Sequence, residues 1–159
     1  MISFIRTNSE NTDFLNLVTE LDKDLHIRDG EDHAFYAQFN KTTNIKYAVV
    51  AYDGSTAVGC GAIKEYAEDT MEVKRMYVLP GSRGQGVASA VLKILEQWAV
   101  ELSCKKLVLE TGKNQPEAIA LYGKNGYTRI PNYGQYQTVE NSVCFIKEMK
   151  GFNNSPNQT

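Results

Sequence analysis

The chain has 159 residues, about the length of one domain, and its 42% hydrophobic and 23% charged residues are ordinary values for a globular protein. The formal net charge of −2 gives no electrostatic reason to expect nucleic acid or an anionic membrane as a partner. No stretch of about 18 apolar residues predicts a membrane-spanning helix. The N-terminus shows no pattern of a secretion signal, so we expect a cytoplasmic protein.

The three cysteines, Cys60, Cys104 and Cys144, are widely separated and odd in number. No pair has the spacing of a metal site or a redox motif, so we expect buried thiols in a reducing compartment and no bound metal. The two histidines, His26 and His33, lie far from every cysteine in the sequence. A Cys–His nucleophile is therefore not favoured.

The N-terminal third of the chain predicts one strand followed by helices. Residues 2–6 are short and apolar enough for a strand. Apolar residues then recur three and four positions apart, which predicts a helix capped by Asn11 or Thr12 and broken at Asp29-Gly30. Three aromatic residues indicate a second, short helix that ends near residue 40: Phe35, Tyr36 and Phe39.

A three-stranded meander is predicted next. Asp53-Gly54 is a strong signal for a hairpin turn between its first two strands. The second strand contains Gly59 and Gly61, which suggest a bulge or a close approach of another backbone. The three strands are expected at residues 47–52, 56–66 and 71–79.

The second half of the chain predicts helices that alternate with strands. Apolar residues between positions 87 and 102 mark one face of a long helix, which leads into a buried strand at 106–110. Because a helix joins this strand to the one before Pro80, the two strands should be parallel. The remaining elements are a helix at 117–124, which Asn125-Gly126 ends, and strands at 127–130 and 142–149.

Together these elements predict a mixed α/β (α+β) fold, in which one central sheet is flanked by about four helices. No repeat or low-complexity linker divides the chain, so residues 1–150 are expected to form a single domain. The last residues, 151–159, are polar and rich in Asn, which is typical of a disordered tail.

A glycine-rich turn at residues 79–89 joins the third meander strand to the long helix. Gly84 and Gly86 would let the backbone approach a ligand closely, and the first amides of the helix have no intrahelical partner. Such a helix N-terminus suits a pyrophosphate, to which Arg83 can add a forked contact. The turn has neither the Gly-Lys-Ser/Thr of a P-loop nor the third glycine of a Rossmann fingerprint. By itself, it could also be a plain helix entry with a solvated Arg83.

Three motifs resemble the GNAT superfamily of N-acetyltransferases. Arg83-x-x-Gly86-x-Ala88 is similar to that family's coenzyme A pyrophosphate loop, Gln/Arg-x-x-Gly-x-Gly/Ala. The preceding segment, 74–80, resembles its fourth strand. The segments 109–111 and 118–127 resemble its fifth strand and the helix that follows. The order and spacing of the elements agree with the family over most of residues 2–150.

The resemblance implies acetyl-CoA as cosubstrate, held between a fourth and a fifth strand that are parallel but splay apart. Main-chain groups of Met76, Tyr77 and Val78 would meet the pantetheine arm, much as a neighbouring strand would. The family often has Asn where this chain has Gln115, so either Gln115 or the adjacent Asn114 would contact the cofactor. The pyrophosphate would be held by Arg83, Gly84, Gln85, Gly86, Val87, Ala88 and Ser89.

Two catalytic residues follow from the same resemblance. Tyr122 matches the tyrosine that protonates the departing thiolate, although alone it could be an aromatic residue of the core. Glu72 lies where some members carry their catalytic carboxylate, and it is the first candidate for the general base; an exposed residue at a strand entrance is the alternative. The competing carboxylates are Glu65, Glu68 and Glu110.

The acceptor side is less defined by the sequence. In the family the first helices wall the acceptor pocket, and here that region is acidic, which would favour a cationic amine; a solvated helix end is an equal alternative. Tyr133 and Tyr136 could line the acceptor side of the cleft or pack on the surface. The acids are Asp22, Asp24, Asp29, Glu31 and Asp32.

The predicted function is N-acetylation of a small-molecule amine by direct attack in a ternary complex with acetyl-CoA. Two alternatives stay open: a CoA-binding sensor or regulatory module without turnover, and a protein or peptide N-acetyltransferase. The resemblance is also compatible with a homodimer.

Overall fold

A seven-stranded sheet organises the part of the chain that the computed structural model describes, residues 1–30 and 44–150. The short helix predicted around Phe35 to Phe39 and the predicted tail at 151–159 lie outside these residues. The strands are β1 (Ile2–Thr7), β2 (Tyr47–Asp53), β3 (Thr56–Ala67), β4 (Thr70–Val78), β5 (Lys106–Gly112), β6 (Thr128–Ile130) and β7 (Ser142–Glu148). The helices within the described ranges are α1 (Thr12–Asp29), α2 (Val87–Glu101) and α3 (Pro116–Lys124).

The spatial order of the strands is β1-β2-β3-β4-β5-β7-β6. The strands β2, β3 and β4 form the predicted antiparallel meander, β1 extends it as a fourth antiparallel strand, and β4 and β5 form the predicted parallel pair. The pair is parallel because α2 carries the chain back across the sheet between them. The mixed fold is therefore confirmed. β7 lies between β5 and β6 and is antiparallel to both, an arrangement that the sequence did not predict.

The two faces of the sheet are covered by different helices, and the side chains of β2 show the alternation. Val49 and Ala51 face the core beneath α2, where Val91, Leu92 and Leu95 are fully buried. Ala48 and Val50 face α1 and pack with Phe14 and Leu17. This period of two is what a strand buried on both faces requires.

Local signals in the sequence set the ends of α1. Asn11 is the N-cap, and its Oδ1 accepts a hydrogen bond from the amide of Phe14 at 2.8 Å. Gly30 ends the helix with φ of 56° and donates its amide to the carbonyl of His26. At the end of α3, Gly126 has φ of 89°, so the predicted Asn-Gly stop is confirmed.

A bulge interrupts the pairing of β3 with β4. Cys60 lies opposite Tyr77 and Ala62 opposite Lys74, so two residues of β4 share the place opposite Gly61. The first of the two, Arg75, has φ of 59°, in the left-handed region. A Cβ on Gly61 would lie 2.4 Å from the sulfur of Met76, so the close neighbours of this glycine are side chains and not another backbone.

Candidate active site

A gap opens between β4 and β5 because the two strands stop pairing after three residue pairs. Only Thr70 to Glu72 of β4 pair with Lys106 to Val108 of β5. Farther along, β4 stays bonded to β3 while β5 stays bonded to β7 over its whole length. The strands therefore diverge into a V, which leaves a cleft of about 500 Å³ whose walls carry free main-chain edges.

The N-terminus of α2 lies beyond the open end of this V. Gly84 and Gly86 both have φ of 80°, and a Cβ on either would meet no atom within 4 Å, so the turn is open on its outer side. The first helical hydrogen bond runs from the amide of Ala90 to the carbonyl of Gly86, and no side chain caps the helix. The preceding amides and the helix dipole together fit an anionic group.

Arg83 turns back onto β4. Its Nε donates to the carbonyl of Val78 at 2.8 Å, and its guanidinium lies 5.5 Å from the ring centre of Tyr77. The sequence assigned these groups separately, Arg83 to the pyrophosphate and the main chain of Val78 to the pantetheine. In the structure they contact each other, so a ligand bonding to the Val78 carbonyl has to share that oxygen with Arg83 or displace it.

Most of the predicted site residues line the cleft. The exceptions are Gln85 and Asn114, which are absent from its walls, whereas Gln115 is present. Of the two candidates at this position, Gln115 is the one placed to contact a ligand in the cleft. The predicted residues that line it are Glu72, Met76, Tyr77, Val78, Arg83, Gly84, Gly86, Val87, Ala88, Ser89, Gln115 and Tyr122.

Asn114 instead joins α1 to the loop before α3. Its Nδ2 donates to the carbonyl of Arg28, and Arg28 donates to the carbonyl of Asn114. The guanidinium of Arg28 also bonds both carboxylate oxygens of Glu117, at 2.5 and 3.1 Å, and lies 3.1 Å from Asp24. This pairing lowers the pKa of Glu117 to about 2. These contacts link a helix on one face of the sheet to a helix on the other at the rim of the cleft.

The comparison with protein families decides the identity of this arrangement. The family model described as the acetyltransferase (GNAT) family matches residues 13–127. The chain belongs to the GNAT acetyltransferase family. The match spans α1, the V-shaped gap, the turn before α2 and α3, which are the elements that build the cleft.

Relatives agree with this assignment. An IAA acetyltransferase of Azospirillum brasilense is 36% identical over 126 residues, which cover 77% of this chain and 81% of that protein. A Klebsiella pneumoniae protein described as an acyl-CoA N-acyltransferase has a crystal structure that superposes with a TM-score of 0.79 at 30% identity, covering 94% of this chain and 98% of its own. The PaiA N-acetyltransferase of Thermoplasma acidophilum, solved with coenzyme A, shares the fold with a TM-score of 0.70 at 15% identity, covering 93% and 99%. This GNAT protein is thus an acyltransferase.

Tyr122, the predicted acid of the GNAT enzyme, lies on α3 and is 5% exposed. Its ring packs 5.7 Å from that of Tyr127 and 6.0 Å from that of Phe145, between ring centres, while it also lines the cleft. It is therefore both a core residue and a wall of the site. Burial, and secondarily the charge of Glu110, raises the pKa of Tyr122, so the phenol stays protonated at physiological pH.

Glu72 is buried at the closed end of the V, which rules out the alternative of an exposed strand end. One carboxylate oxygen accepts a hydrogen bond from the hydroxyl of Tyr133 at 2.5 Å. The other lies 3.7 Å from Nζ of Lys74, whose side chain is as buried as that of Glu72. Burial, followed by the charge of Glu72, raises the pKa of Tyr133.

Among the competing carboxylates, Glu110 alone lines the cleft. It lies on β5 and accepts a hydrogen bond from the hydroxyl of Ser142 at 2.7 Å. Glu65 is an exposed residue of β3 that pairs with Lys46, and Glu68 lies in the exposed turn that follows. Glu72 and Glu110 therefore both line the cleft, one from each strand.

In the described part of α1, the acids of the predicted acidic wall form ion pairs with arginines. Asp22 pairs with the buried guanidinium of Arg75 at 2.5 Å, and Asp24 pairs with Arg28. The side chain of Asp29 and residues 31–32 lie outside the described structure. The ion pair of Asp22 thus joins α1 to the bulge of β4, and that of Asp24 joins two successive turns of α1.

Two cationic residues of the cleft, Lys74 and Arg75, were missed by the sequence analysis. Because side chains alternate between the two faces of a strand, Lys74 lies on the same face as Glu72, and the sequence did contain this signal. The left-handed conformation of Arg75 turns a second cation to that face, and no local pattern announces it. Tyr136, 2% exposed, also lines the cleft and packs on Cys144, so this tyrosine belongs to the cleft wall rather than to the surface.

The three cysteines are buried and unpaired, as predicted. Burial raises the pKa of the Cys60 thiol to about 12 and that of Cys144 to about 11, so neither is a thiolate at neutral pH. Within residues 1–30 and 44–150, no three His, Cys, Asp or Glu side chains are grouped so as to hold a metal ion. No helix of those ranges is long and apolar enough to cross a membrane.

Proposed function

We propose that this GNAT acyltransferase transfers the acetyl group of acetyl-CoA to the amine of a small molecule, by direct attack in a ternary complex. The observation that carries the proposal is the V between β4 and β5 with an open, uncapped helix N-terminus at its wide end. Coenzyme A in the Thermoplasma PaiA structure supports acetyl-CoA as the cosubstrate, and the acetyltransferase name of the Azospirillum relative supports an acetyl group.

The residues present fit a coenzyme A thioester. Amides from Gly84 to Ser89 would hold the pyrophosphate, because they precede the first helical hydrogen bond and their glycines leave room for it. The edge of β4 from Met76 to Val78 would bond to the pantetheine amides, since β5 has already diverged. Gln115 would contact the arm from the opposite wall. When bound, acetyl-CoA supplies an activated carbonyl and a thiol leaving group.

The acceptor needs a base because a primary ammonium with a pKa near ~10.4 is almost fully protonated at pH ~7.4, a deficit of roughly 4 kcal/mol. Glu72 is the proposed base. Tyr133 donates a hydrogen bond to one of its oxygens and Lys74 lies near the other, and its burial at the closed end of the V supports this role. Glu110, on the facing strand, would attract the ammonium as it enters.

Tyr122 is the proposed acid for the departing thiolate. It lines the cleft from α3, and burial keeps its phenol protonated. A thiol with a pKa near ~8.5 is already a fair leaving group. Protonation by Tyr122 should therefore raise the rate by only about one to two orders of magnitude.

A small-molecule acceptor is proposed because two sets of contacts narrow the cleft. Tyr136 is buried over the sheet, and the contacts of Arg28 with Glu117 and Asn114 bridge the rim between α1 and α3. A chamber enclosed in this way admits a compact amine more readily than an extended peptide.

A thiol-release screen tests the proposal. The chain is mixed with acetyl-CoA and with panels of monoamines, polyamines, amino acids, aminoglycosides and peptide N-termini. Release that depends on a small amine, with an acetylated product seen by mass spectrometry, is the expected result. Binding of acetyl-CoA without thiol release across all panels would favour the regulatory module instead, and release with peptides alone would favour a peptide acetyltransferase.

A further inference from the structure

Lys74 lies at the closed end of the V, where the two strands begin to part. Glu72 is the last residue of β4 that pairs with β5, and Lys74 follows it on the same face of the strand. The side chain of Lys74 is 9% exposed, and it lines the cleft. A buried amine at this point occupies the end of the cleft that the acceptor's amine must reach.

The orientation of the cleft determines which part of acetyl-CoA would come near this lysine. The uncapped N-terminus of α2 is at the open end, beyond Val78, and Lys74 is at the other. A pyrophosphate held at the open end directs the pantetheine arm back along β4 toward the closed end. The thioester, at the far end of that arm, is then the part of the molecule nearest to Lys74.

The charged groups around Lys74 come from three strands. Glu72 lies 3.7 Å from Nζ, Glu110 acts on it from β5, and Arg75 and Lys64 oppose these carboxylates from β4 and β3. Burial is the largest influence and lowers the pKa of Lys74, although both carboxylates act in the other direction. A larger fraction of this amine is therefore neutral and nucleophilic than in a solvent-exposed lysine. Glu72 lies beside it as a proton acceptor.

We propose that Lys74 is a self-acetylation site, modified at Nζ by acetyl-CoA bound in the protein's own cleft, an inference that rests on the proposed function. The lone pair of the neutral amine attacks the thioester carbonyl carbon, the C–N bond forms, the C–S bond breaks, and the thiolate leaves with the bonding electrons. The proton lost by nitrogen passes to Glu72 and then to the thiolate. The products are acetylated Lys74 and the free thiol of CoA.

The modification would have a consequence for turnover. Acetylation removes the positive charge beside Glu72 and adds an acetyl group at the closed end of the cleft. The modified protein should therefore bind an acceptor less well. Self-acetylation would act mainly when acetyl-CoA is present and the acceptor is not.

The experiment incubates the full chain with deuterium-labelled acetyl-CoA in the absence of an acceptor and maps each lysine by mass spectrometry. Lys105, whose side chain is 75% exposed, reports ordinary chemical acetylation. We expect Lys74 to be labelled at least about tenfold faster than Lys105, because it reacts within a complex. Its labelling should also saturate with acetyl-CoA and be blocked by excess CoA, whereas that of Lys105 should not.

Two variants sharpen the result. Lys74→Arg keeps the charge and should abolish the labelled site, while Glu72→Gln should slow labelling of Lys74 and leave Lys105 unchanged. Labelling of Lys74 no faster than that of Lys105, or insensitive to CoA, would overturn the proposal. If Lys74 is not labelled in this way but CoA still binds and amines still cause thiol release, self-acetylation alone is overturned. If CoA does not bind, the proposed function is overturned as well.

Discussion

Glu72 and Tyr122, the proposed base and the proposed acid, have surroundings that suit opposite proton transfers. Glu72 is fixed by a donor hydroxyl on one oxygen and a lysine near the other. Tyr122 is enclosed by aromatic rings, and burial raises its pKa. A base and an acid on opposite walls of one cleft allow the amine to lose a proton while the thiolate gains one.

Replacing Glu72 with Gln should lower kcat by about a hundredfold near neutral pH, with little change in affinity for acetyl-CoA. The loss should be largest at low pH, because the variant depends on acceptor that is already neutral, and that fraction falls tenfold per pH unit. The pH dependence of kcat for both proteins is the measurement. Glu65→Gln, an exposed carboxylate of β3, is the matched control; an identical pH profile for Glu72→Gln and the wild type would remove Glu72 from the mechanism.

Replacing Tyr122 with Phe should lower kcat by about tenfold to a hundredfold and leave the fold intact, since the ring contacts remain. Tyr127→Phe is the control, because that neighbouring tyrosine is also buried but donates its hydroxyl to Glu96. The control should cost about 1 kcal/mol of stability and leave kcat unchanged. Steady-state kinetics with thermal unfolding separates these effects. Equal kcat for Tyr122→Phe and the wild type would refute the acid role.

The sequence predicted the motif residues of the site but not their electrostatic setting. Glu72, Tyr122 and the turn at 83–89 were found because their spacing matches a family pattern. Arg75 was missed because its placement depends on the bulge of β4, a long-range feature of strand pairing, whereas the alternation from Glu72 did contain a signal for Lys74. The ion pair of Asp22 with Arg75 depends on the same bulge, so the acidic wall was predicted without its counter-ions.

At the scale of elements, the turn before α2 depends on two glycines in the left-handed region. Gly84→Ala or Gly86→Ala should cost about 1–2 kcal/mol in backbone strain, which shifts the amides and raises the Kd for CoA by about tenfold. Gly81→Ala is the control, since Gly81 has equal space around it and no positive φ. Calorimetry with CoA compares them. Unchanged affinity in both Gly84→Ala and Gly86→Ala would show that the turn does not hold the ligand.

A substitution at Gly61 provides a second prediction, about the stability of the packing between the sheet and α2. A Cβ there would lie 2.4 Å from the sulfur of Met76 and 2.9 Å from Val91 of α2. Gly61→Ala should therefore destabilise the protein by about 1–3 kcal/mol through overpacking. Gly123→Ala, in α3 with open space around it, should instead be neutral or stabilising by up to about 1 kcal/mol. Thermal unfolding of both variants tests this, and equal Tm values would contradict it.

Most elements were predictable because their signals are local. The cap at Asn11, the glycine that ends α1 and the Asn-Gly stop after α3 all act within a few residues of the helix they bound. The Asp53-Gly54 signal located the hairpin, although its two loop residues are 54 and 55, one position later. The glycines of β3 indicated a bulge, and β3 has one against β2, where Val58 is the extra residue beside Gly59. Opposite Gly61 the extra residue lies in β4 instead, and the sequence of β3 could not show this because a strand's own sequence does not record its partner's register.

At the scale of the whole molecule, connection length explains what the sequence could predict of the topology. A helix between β4 and β5 requires a parallel pair, whereas the short links of the meander require antiparallel ones. The insertion of β7 between β5 and β6 was not predictable, because the long segment between β6 and β7 allows more than one order. The divergence of β4 from β5, on which the cleft depends, follows from each strand's bonds to its other neighbour.

Titration of the protein with acetyl-CoA in a calorimeter, followed by crystallisation of the complex, tests whether the V between β4 and β5 holds this cosubstrate. We predict one molecule bound per chain with a Kd between about 1 μM and 1 mM, its diphosphate on the amides at 84–89 and its thioester between β4 and β5 near Glu72. Absence of binding, or a complex with the diphosphate elsewhere and the V empty, would contradict the account.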